Sequence, residues 1–329
     1  MSGTNAYERL VRPLLFSLDP EVAHHLAIGC LRHFSALIPR MKLPHPTSVF
    51  GLNFPNPVGL AAGFDKSGVA LPAWEALGFG FAEIGTVTAR AQPGNPKPRI
   101  FRYHEQQALI NRLGFNNDGA EVVAARLRKL RAQGSWPKIP IGINIGKSKA
   151  TALENAAGDY LYSFQLLREF ADYIVLNVSS PNTPGLRSLQ EHDALIELLQ
   201  TIISEKETKP ILLKIAPDVS DADLDSIIAA CEAHGITGIV ATNTTLDHSV
   251  IPPARDQTGG LSGAPLREKS TALVRAINTR TKLPVIGVGG IFDADTAREK
   301  FEAGARLIQI YTGYIYRGPS LIREIVEGL

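Results

Sequence analysis

From about Pro57 to the C-terminus, short apolar runs rich in β-branched residues alternate with stretches whose apolar residues recur every three or four positions, the marks of buried strands and amphipathic helices. The runs Pro57–Ala61, Phe81–Gly85, Ile139–Asn144, Tyr173–Asn177, Pro210–Ile215, Thr237–Thr242, Pro284–Gly289 and Arg306–Tyr311 predict eight strands. Each is mostly apolar throughout, as strands covered on both faces should be. Helices are predicted near Val69–Leu77, Ala120–Gln133, Ala152–Phe170, Asp193–Glu205, Asp221–His234, Leu266–Thr279, Asp293–Ala303 and Pro319–Glu327. Asp221 and Asp293 open acidic stretches that suit the positive end of a helix. Eight such units predict an α/β fold, a (β/α)8 TIM barrel, since an open doubly wound sheet usually has fewer strands.

Residues 1 to about 45 do not join the alternation. Leu10–Phe16 and Val22–Ile38 read as two amphipathic helices parted at Asp19–Pro20. The domain reading is therefore an N-terminal helical segment, 1–45, and a barrel, 46–329. Arg9, Arg12, Arg32 and Arg40 interrupt the segment and Pro13 and Pro20 break it, so no run approaches the ~20 apolar residues that span a bilayer. Such a segment can lie on a membrane without crossing it. Periodicity taken alone favours a helical hairpin packed on the barrel.

Composition narrows the picture only in part. Hydrophobic residues make up 44% of the 329 and charged residues 20%, enough apolar material for one large interior with an appendage. Lys and Arg number 34 against 32 Asp and Glu, and a net charge of +2 gives no electrostatic footprint for nucleic acid. The two cysteines, Cys30 and Cys231, form neither a disulfide framework nor a zinc motif, which fits a reducing cytoplasmic setting. The histidines show no HExxH spacing, so no metal is expected, and the His24–His25 pair falls in an amphipathic pattern that suggests a surface role. The opening MSGTNAYERL resembles neither a secretory signal nor a transit peptide, so secretion is not expected.

In a TIM barrel the chemistry lies at the carboxyl ends of the strands. The first predicted strand leads into Ala61-Ala62-Gly63-Phe64-Asp65-Lys66, the second ends at Gly85-Thr86, the third at Asn144, and the fourth at Asn177 before Ser179-Ser180-Pro181-Asn182-Thr183. The fifth carries Lys214 and the sixth closes on Thr242-Asn243-Thr244. Singly, such residues are ordinary turn formers. Together, several Asn amides, each both donor and acceptor, suit a planar ring with alternating carbonyl and N–H groups. Lys214 is the strongest single candidate, because a lysine inside an apolar strand is costly to bury without an anion; snorkelling to solvent is its plain alternative. Gly287-Val288-Gly289-Gly290 ends strand seven and Tyr311-Thr312-Gly313 ends strand eight, ahead of the helix near Pro319, the usual phosphate site of this fold. Gly259-Gly260-Leu261-Ser262-Gly263 adds a further permissive loop.

These segments, AAGFDK, NRLGFNN, NVSSPNTPGLR, LLKIAPD, ATNTT, GGLSG, GVGGI and QIYTG, resemble the dihydroorotate dehydrogenases in order and in place over nearly the whole chain. The resemblance implies FMN bound at the barrel mouth by Ala62, Gly63, Lys66, Thr86, Asn144, Asn177, Lys214, Thr242, Gly263, Gly290, Tyr311 and Thr312. It implies dihydroorotate held by Lys66, Asn111, Arg112, Leu113, Gly114, Phe115, Asn177, Asn182, Asn243 and Thr244. Ser180 would be the catalytic base, with Thr183 and a water as its relay. Soluble relatives place Cys in that loop and quinone-dependent ones place Ser, so the resemblance points to a quinone acceptor. The N-terminal helices would then form an apolar path to the flavin and rest on the membrane, making a peripheral, monomeric protein of the cytoplasmic face of a bacterial inner membrane. Two other readings remain: a soluble FMN barrel that uses fumarate or a partner flavoprotein, and a membrane-surface barrel that binds a phosphate ligand without chemistry.

Overall fold

The computed structural model describes residues 5–183 and 185–329. Eight parallel strands close into a barrel: β1 (Val58–Leu60), β2 (Phe81–Val87), β3 (Ile141–Ile145), β4 (Tyr173–Asn177), β5 (Ile211–Ile215), β6 (Gly238–Ala241), β7 (Val285–Val288) and β8 (Ala305–Ile310). The eight predicted runs thus form the barrel in order, the second extending two residues further, to Val87. Inside it, Phe81, Tyr173, Val175, Leu212, Val240, Ile286 and Leu307 fill the lower lumen, while Ile84, Ile143, Ile174, Leu213 and Ile308 point outward under the helices. Both faces are covered, which is why the strands read as unbroken apolar runs.

The N-terminal segment has a π-helical turn at Tyr7–Val11, then α1 (Arg12–Ser17) and α2 (Pro20–Phe34). Asp19 parts the two helices because its carboxylate caps α2, accepting from Glu21 N and Val22 N, with Pro20 preset in the first turn. The surrounding helices are α3 (Leu71–Ala76), α4 (Ala120–Ala132), α5 (Ala156–Leu167), α6 (His192–Ile203), α7 (Asp221–Ala233), α8 (Arg267–Arg280), α9 (Ala294–Glu302), α10 (Thr312–Arg317) and α11 (Ser320–Glu327). Asp293 opens α9 in a capping box with Thr296, whereas Ser220, not Asp221, caps α7. The expected Ala152–Phe170 helix is α5 alone, flanked by 3-10 turns.

Two small sheets were not expected from periodicity. A hairpin pairs Thr47–Val49 with Leu52–Phe54 across Phe50 and Gly51, both at positive φ as a tight primed turn requires. Its Val49 and Phe54 join the luminal cluster, Phe54 meeting Phe81 edge-on at 5.3 Å, so the hairpin floors the barrel. At the opposite end Ile100–Tyr103, Ala108–Asn111 and Gly260–Gly263 form an antiparallel sheet beside the mouth. GGLSG is therefore a strand rather than a loop: three of the strand's four residues are buried, and Gly263 (φ 103°) lies so near Gln107 O that a Cβ there would stand 2.3 Å away.

The N-terminal helices lie against this sheet and α10. Glu21 and Arg99, each almost fully buried, form a bidentate pair with contacts of 2.6 to 3.2 Å. Tyr7 OH donates to Ile315 O at 2.7 Å and Arg12 to Tyr316 O at 3.0 Å. Leu10, Leu14, Val22, Leu26, Phe34 and Leu37 remain exposed, so the segment is packed on the barrel yet keeps an apolar outer surface. Among the described residues no helix is long and apolar enough to cross a membrane.

Candidate active site

At the carboxyl ends of the strands a cleft encloses ≈ 980 Å³ of space, part of it open to solvent. Ala62, Gly63, Lys66, Thr86, Asn177, Lys214, Thr242, Gly263, Gly290, Tyr311 and Thr312 line it, as do Asn111, Leu113, Gly114, Phe115, Ser180, Asn182, Asn243 and Thr244. Two expected residues stand outside. Asn144 is buried behind the wall, where its Oδ1 accepts from Thr86 Oγ1 at 2.6 Å. Arg112 faces away: its guanidinium stacks over Phe101 and donates to Thr258 and Pro98 O, because the strand that presents Asn111 alternates its side chains. Leu266, Ile291, Gln309 and Ile310 also line the cleft without having been given a role from the sequence, while Ala61, Ser262, Val288, Gly289 and Gly313 line it within the strand-end segments and glycine loops singled out there.

One end of the cleft suits an anion. Gly289 and Gly290 follow β7 with φ of 120° and 73°, and a Cβ on Gly290 would come within 2.3 Å of Arg267 Cα. Only glycine lets the backbone turn there against the start of α8. The helix that opens at Thr312 is α10, not the later one near Pro319, and Ser262 Oγ holds Thr312 Oγ1 at 2.9 Å.

The deep wall is a polar network. Lys214 is buried on β5, so snorkelling is overturned; among the described residues its ammonium has no hydrogen-bond or ion-pair partner, and burial lowers its pKa against the attraction of Glu83. Glu83, on β2 and wholly buried, accepts from Asn144 Nδ2 at 2.8 Å and Gln309 Nε2 at 2.6 Å. Gln309 Oε1 is buried with no partner among the described residues. Glu83 had a detectable signal, the same one that marked Lys214: a charge in an apolar strand.

Ser180 and Thr183 follow β4 and are buried. Ser180 Oγ accepts from Asn182 N at 3.3 Å, and Thr183 Oγ1 has no partner among the described residues. Lys66 donates to Gly63 O at 2.8 Å, and burial brings its pKa down to about 8.

A second cavity, ≈ 1350 Å³ with its open part, runs between the N-terminal helices and the barrel mouth. Its walls are apolar, among them Val11, Leu15, Ala23, Leu26, Ala27, Leu31, Phe64 and Tyr314, with His24 and Arg102 as its cationic-capable side chains. Asn111, Leu113, Ser262 and Tyr311 belong to both this cavity and the cleft. Of the expected surface pair, His25 is exposed while His24 is half-buried on the cavity wall: it meets Phe64 at 5.3 Å, and burial, with Lys66 nearby, drops its pKa to about 3, so the ring is neutral near pH 7.

The fold and these two spaces define a (β/α)8 barrel with a polar, anion-ready cleft at its mouth and an apolar passage entering from the side. A family model described as "Dihydroorotate dehydrogenase" matches residues 45–329, and the chain belongs to that family. A protein of Gloeobacter violaceus named dihydroorotate dehydrogenase (quinone) is 51% identical, the match covering 98% of this chain and 93% of the relative. One of the same name from Thermosynechococcus vestitus is also 51% identical, over 98% and 96%. Among solved structures, Eimeria tenella DHODH in complex with ferulenol superposes with a TM-score of 0.88 at 36% identity, covering 94% of this chain and 90% of that one.

Proposed function

We propose that the protein oxidises (S)-dihydroorotate to orotate in pyrimidine biosynthesis, with FMN as resident cofactor, and delivers the electrons to a quinone. The observation that carries this reading is the pair of spaces sharing walls at Asn111, Leu113, Ser262 and Tyr311, one polar and one apolar. A soluble acceptor such as fumarate would have no use for the apolar passage.

The residues fit FMN. Among the described residues Lys214 has no hydrogen-bond or ion-pair partner and Gln309 Oε1 no donor, and the flavin's pyrimidine edge brings both an electron-rich N1–C2 carbonyl and an N3–H. Gly289, Gly290 and the backbone from Tyr311 would hold the phosphate, with Ala62, Gly63, Thr86, Thr242 and Gly263 around the rest. When bound, FMN supplies the acceptor for the hydride that leaves dihydroorotate C6. Lys214 stabilises the negative charge that gathers at its end of the site on reduction.

Asn111, Asn177, Asn182 and Asn243 pair with the amide edges of the substrate ring, Thr244 closes beside them, and Lys66 faces its carboxylate. Ser180 Oγ removes the C5 proton. A hydroxyl is a weak base near neutral pH, so the buried Thr183 hydroxyl, without a partner among the described residues, carries that proton onward with a water. Residues 1–45 form the quinone passage and rest their exposed apolar side chains on a membrane surface, while 46–329 form the catalytic barrel.

The test is the visible spectrum of the anaerobic protein before and after dihydroorotate. Prompt bleaching of a flavin band, followed by its return on adding a short-chain quinone, is the expected result. A band that persists with dihydroorotate overturns the substrate, and bleaching that quinone fails to reverse overturns the acceptor.

A further inference from the structure

Lys300 is a wholly buried lysine to which the proposed chemistry gives no task. With Thr296 and Ala297 it makes up the buried face of α9, the three standing at the spacing of one helical stripe. Its stem lies over β7 at Gly287, where a Cβ would stand 3.5 Å from Lys300 Cβ and 3.6 Å from its Cδ. The ammonium ends among oxygens of the first turns of α8. It donates to Arg267 O at 3.1 Å, Ser270 Oγ at 3.0 Å and Thr271 Oγ1 at 2.5 Å, which uses all three of its hydrogens.

Two of those partners reach the glycine turn of the cleft. Ser270 Oγ gives its own hydrogen to Val288 O at 2.6 Å, the carbonyl that precedes Gly289 and Gly290. The same part of α8 seats the glycines themselves: a Cβ on Gly289 would stand 3.2 Å from Ser270 Cβ, and one on Gly290 2.6 Å from Arg267 N. Lys300 therefore ties α8 to the end of β7 from behind the turn that lines the anion end of the cleft.

The partners of this ammonium are all neutral. Glu299, its neighbour in the chain, is taken up by Arg267, whose Nε donates to Oε2 at 2.8 Å, and among the described residues no carboxylate pairs with Lys300. A buried cation held by neutral oxygens alone is costly, and an apolar side chain of similar length fills such a place at less cost. Burial accordingly brings the Lys300 pKa down to about 7. A phosphate at Gly289 and Gly290 provides the negative charge that the surrounding side chains do not, across a medium that screens it weakly.

We infer that Lys300 is a positioning residue for the flavin's phosphate: without touching it, the ammonium holds the Gly289–Gly290 turn against α8 and offsets the anion's charge from behind. The inference rests on the phosphate placement proposed above.

The test compares FMN with riboflavin, which has the same ring and ribityl chain but no phosphate. Each is titrated into the flavin-free full chain, and binding is read by quenching of flavin fluorescence. K300M keeps the length of the side chain and removes its charge and its donors. FMN is expected to bind K300M about tenfold more weakly, the scale of one lost charge-assisted hydrogen bond, while riboflavin stays within twofold of the parent. S270A is the gentler variant, because Val288 O keeps a bond from Thr242 N at 3.0 Å and Lys300 keeps Arg267 O and Thr271 Oγ1. It is expected to lose about fivefold, again for FMN alone. A lysine that only fills the space between α8 and α9 would weaken both flavins alike or neither. A K300M in which the preference for FMN over riboflavin is unchanged overturns the inference, and where K300M does not fold, an unchanged preference in S270A does so. Failure of the phosphate placement shows separately, as a parent that binds riboflavin as tightly as FMN.

Discussion

On the proposed mechanism Thr183 carries more of the chemistry than its place in a turn suggests. Its hydroxyl is buried within three residues of Ser180 and has no partner among the described residues, an arrangement that is costly unless a bound water or substrate completes it. With Thr183 as the relay, flavin reduction by dihydroorotate is expected to accelerate as pH rises, and T183V to slow it by about 100-fold at each pH, the lower end of general acid–base contributions. Rapid mixing under anaerobic conditions reads this step apart from quinone turnover; a flat profile in the parent removes the relay. Which residues were legible follows from where they stand. Asn177, Lys214 and Thr242 end or interrupt apolar strands, so their polarity was visible against a uniform background. Gln309 and Glu83 lie within strands too, yet their meaning depends on partners far off in the chain. Asn144 is 61 positions from Glu83 and Gln309 is 226 from it, and only barrel closure brings the three together. Arg112 was drawn in by its neighbours along the chain and falls outside because a strand turns alternate residues to opposite faces.

At the scale of elements, the attachment of α2 to the barrel depends on one buried ion pair. Burial by itself would raise the Glu21 carboxyl, but the hydrogen-bonded Arg99 guanidinium, helped by Lys97, brings it down to about 2. The folded pKa lies below the unfolded value, so the pair contributes its full stability above about pH 4.5 and loses it as pH falls toward 2. Acidification is therefore expected to release α2 before the barrel unfolds, seen as early hydrogen exchange over Pro20–Phe34. E21Q should show that exchange already at pH 7, at a cost of about 3–5 kcal/mol for leaving Arg99 buried and unpaired. Exchange in E21Q equal to the parent's would mean that α2 is held by its apolar contacts alone. The helix itself was readable from its period and its Asp19-Pro20 start, whereas Arg99, 78 positions from Glu21, lies beside a strand too short and too mixed in character to announce itself.

For the whole molecule, the barrel was legible because strands covered on both faces leave an unbroken apolar signature eight times over, while the hairpin floor and the three-stranded sheet were not, since half-covered strands of three or four residues carry no resolvable period. The N-terminal segment combined both expectations, packed on the barrel and apolar on its outer surface. A chain beginning at residue 46 is expected to keep its flavin and its bleaching by dihydroorotate while losing quinone reduction. Loss of both activities would make the segment part of the barrel's architecture instead. The shared wall of the two cavities has a further consequence, in steady-state kinetics. Oxidant and reductant reach one buried centre by different doors, so neither need wait for the other to vacate its seat. Double-reciprocal plots against dihydroorotate at several fixed quinone concentrations should form parallel lines, and an apolar inhibitor lodged beside His24 should compete with quinone while leaving the slope against dihydroorotate unchanged.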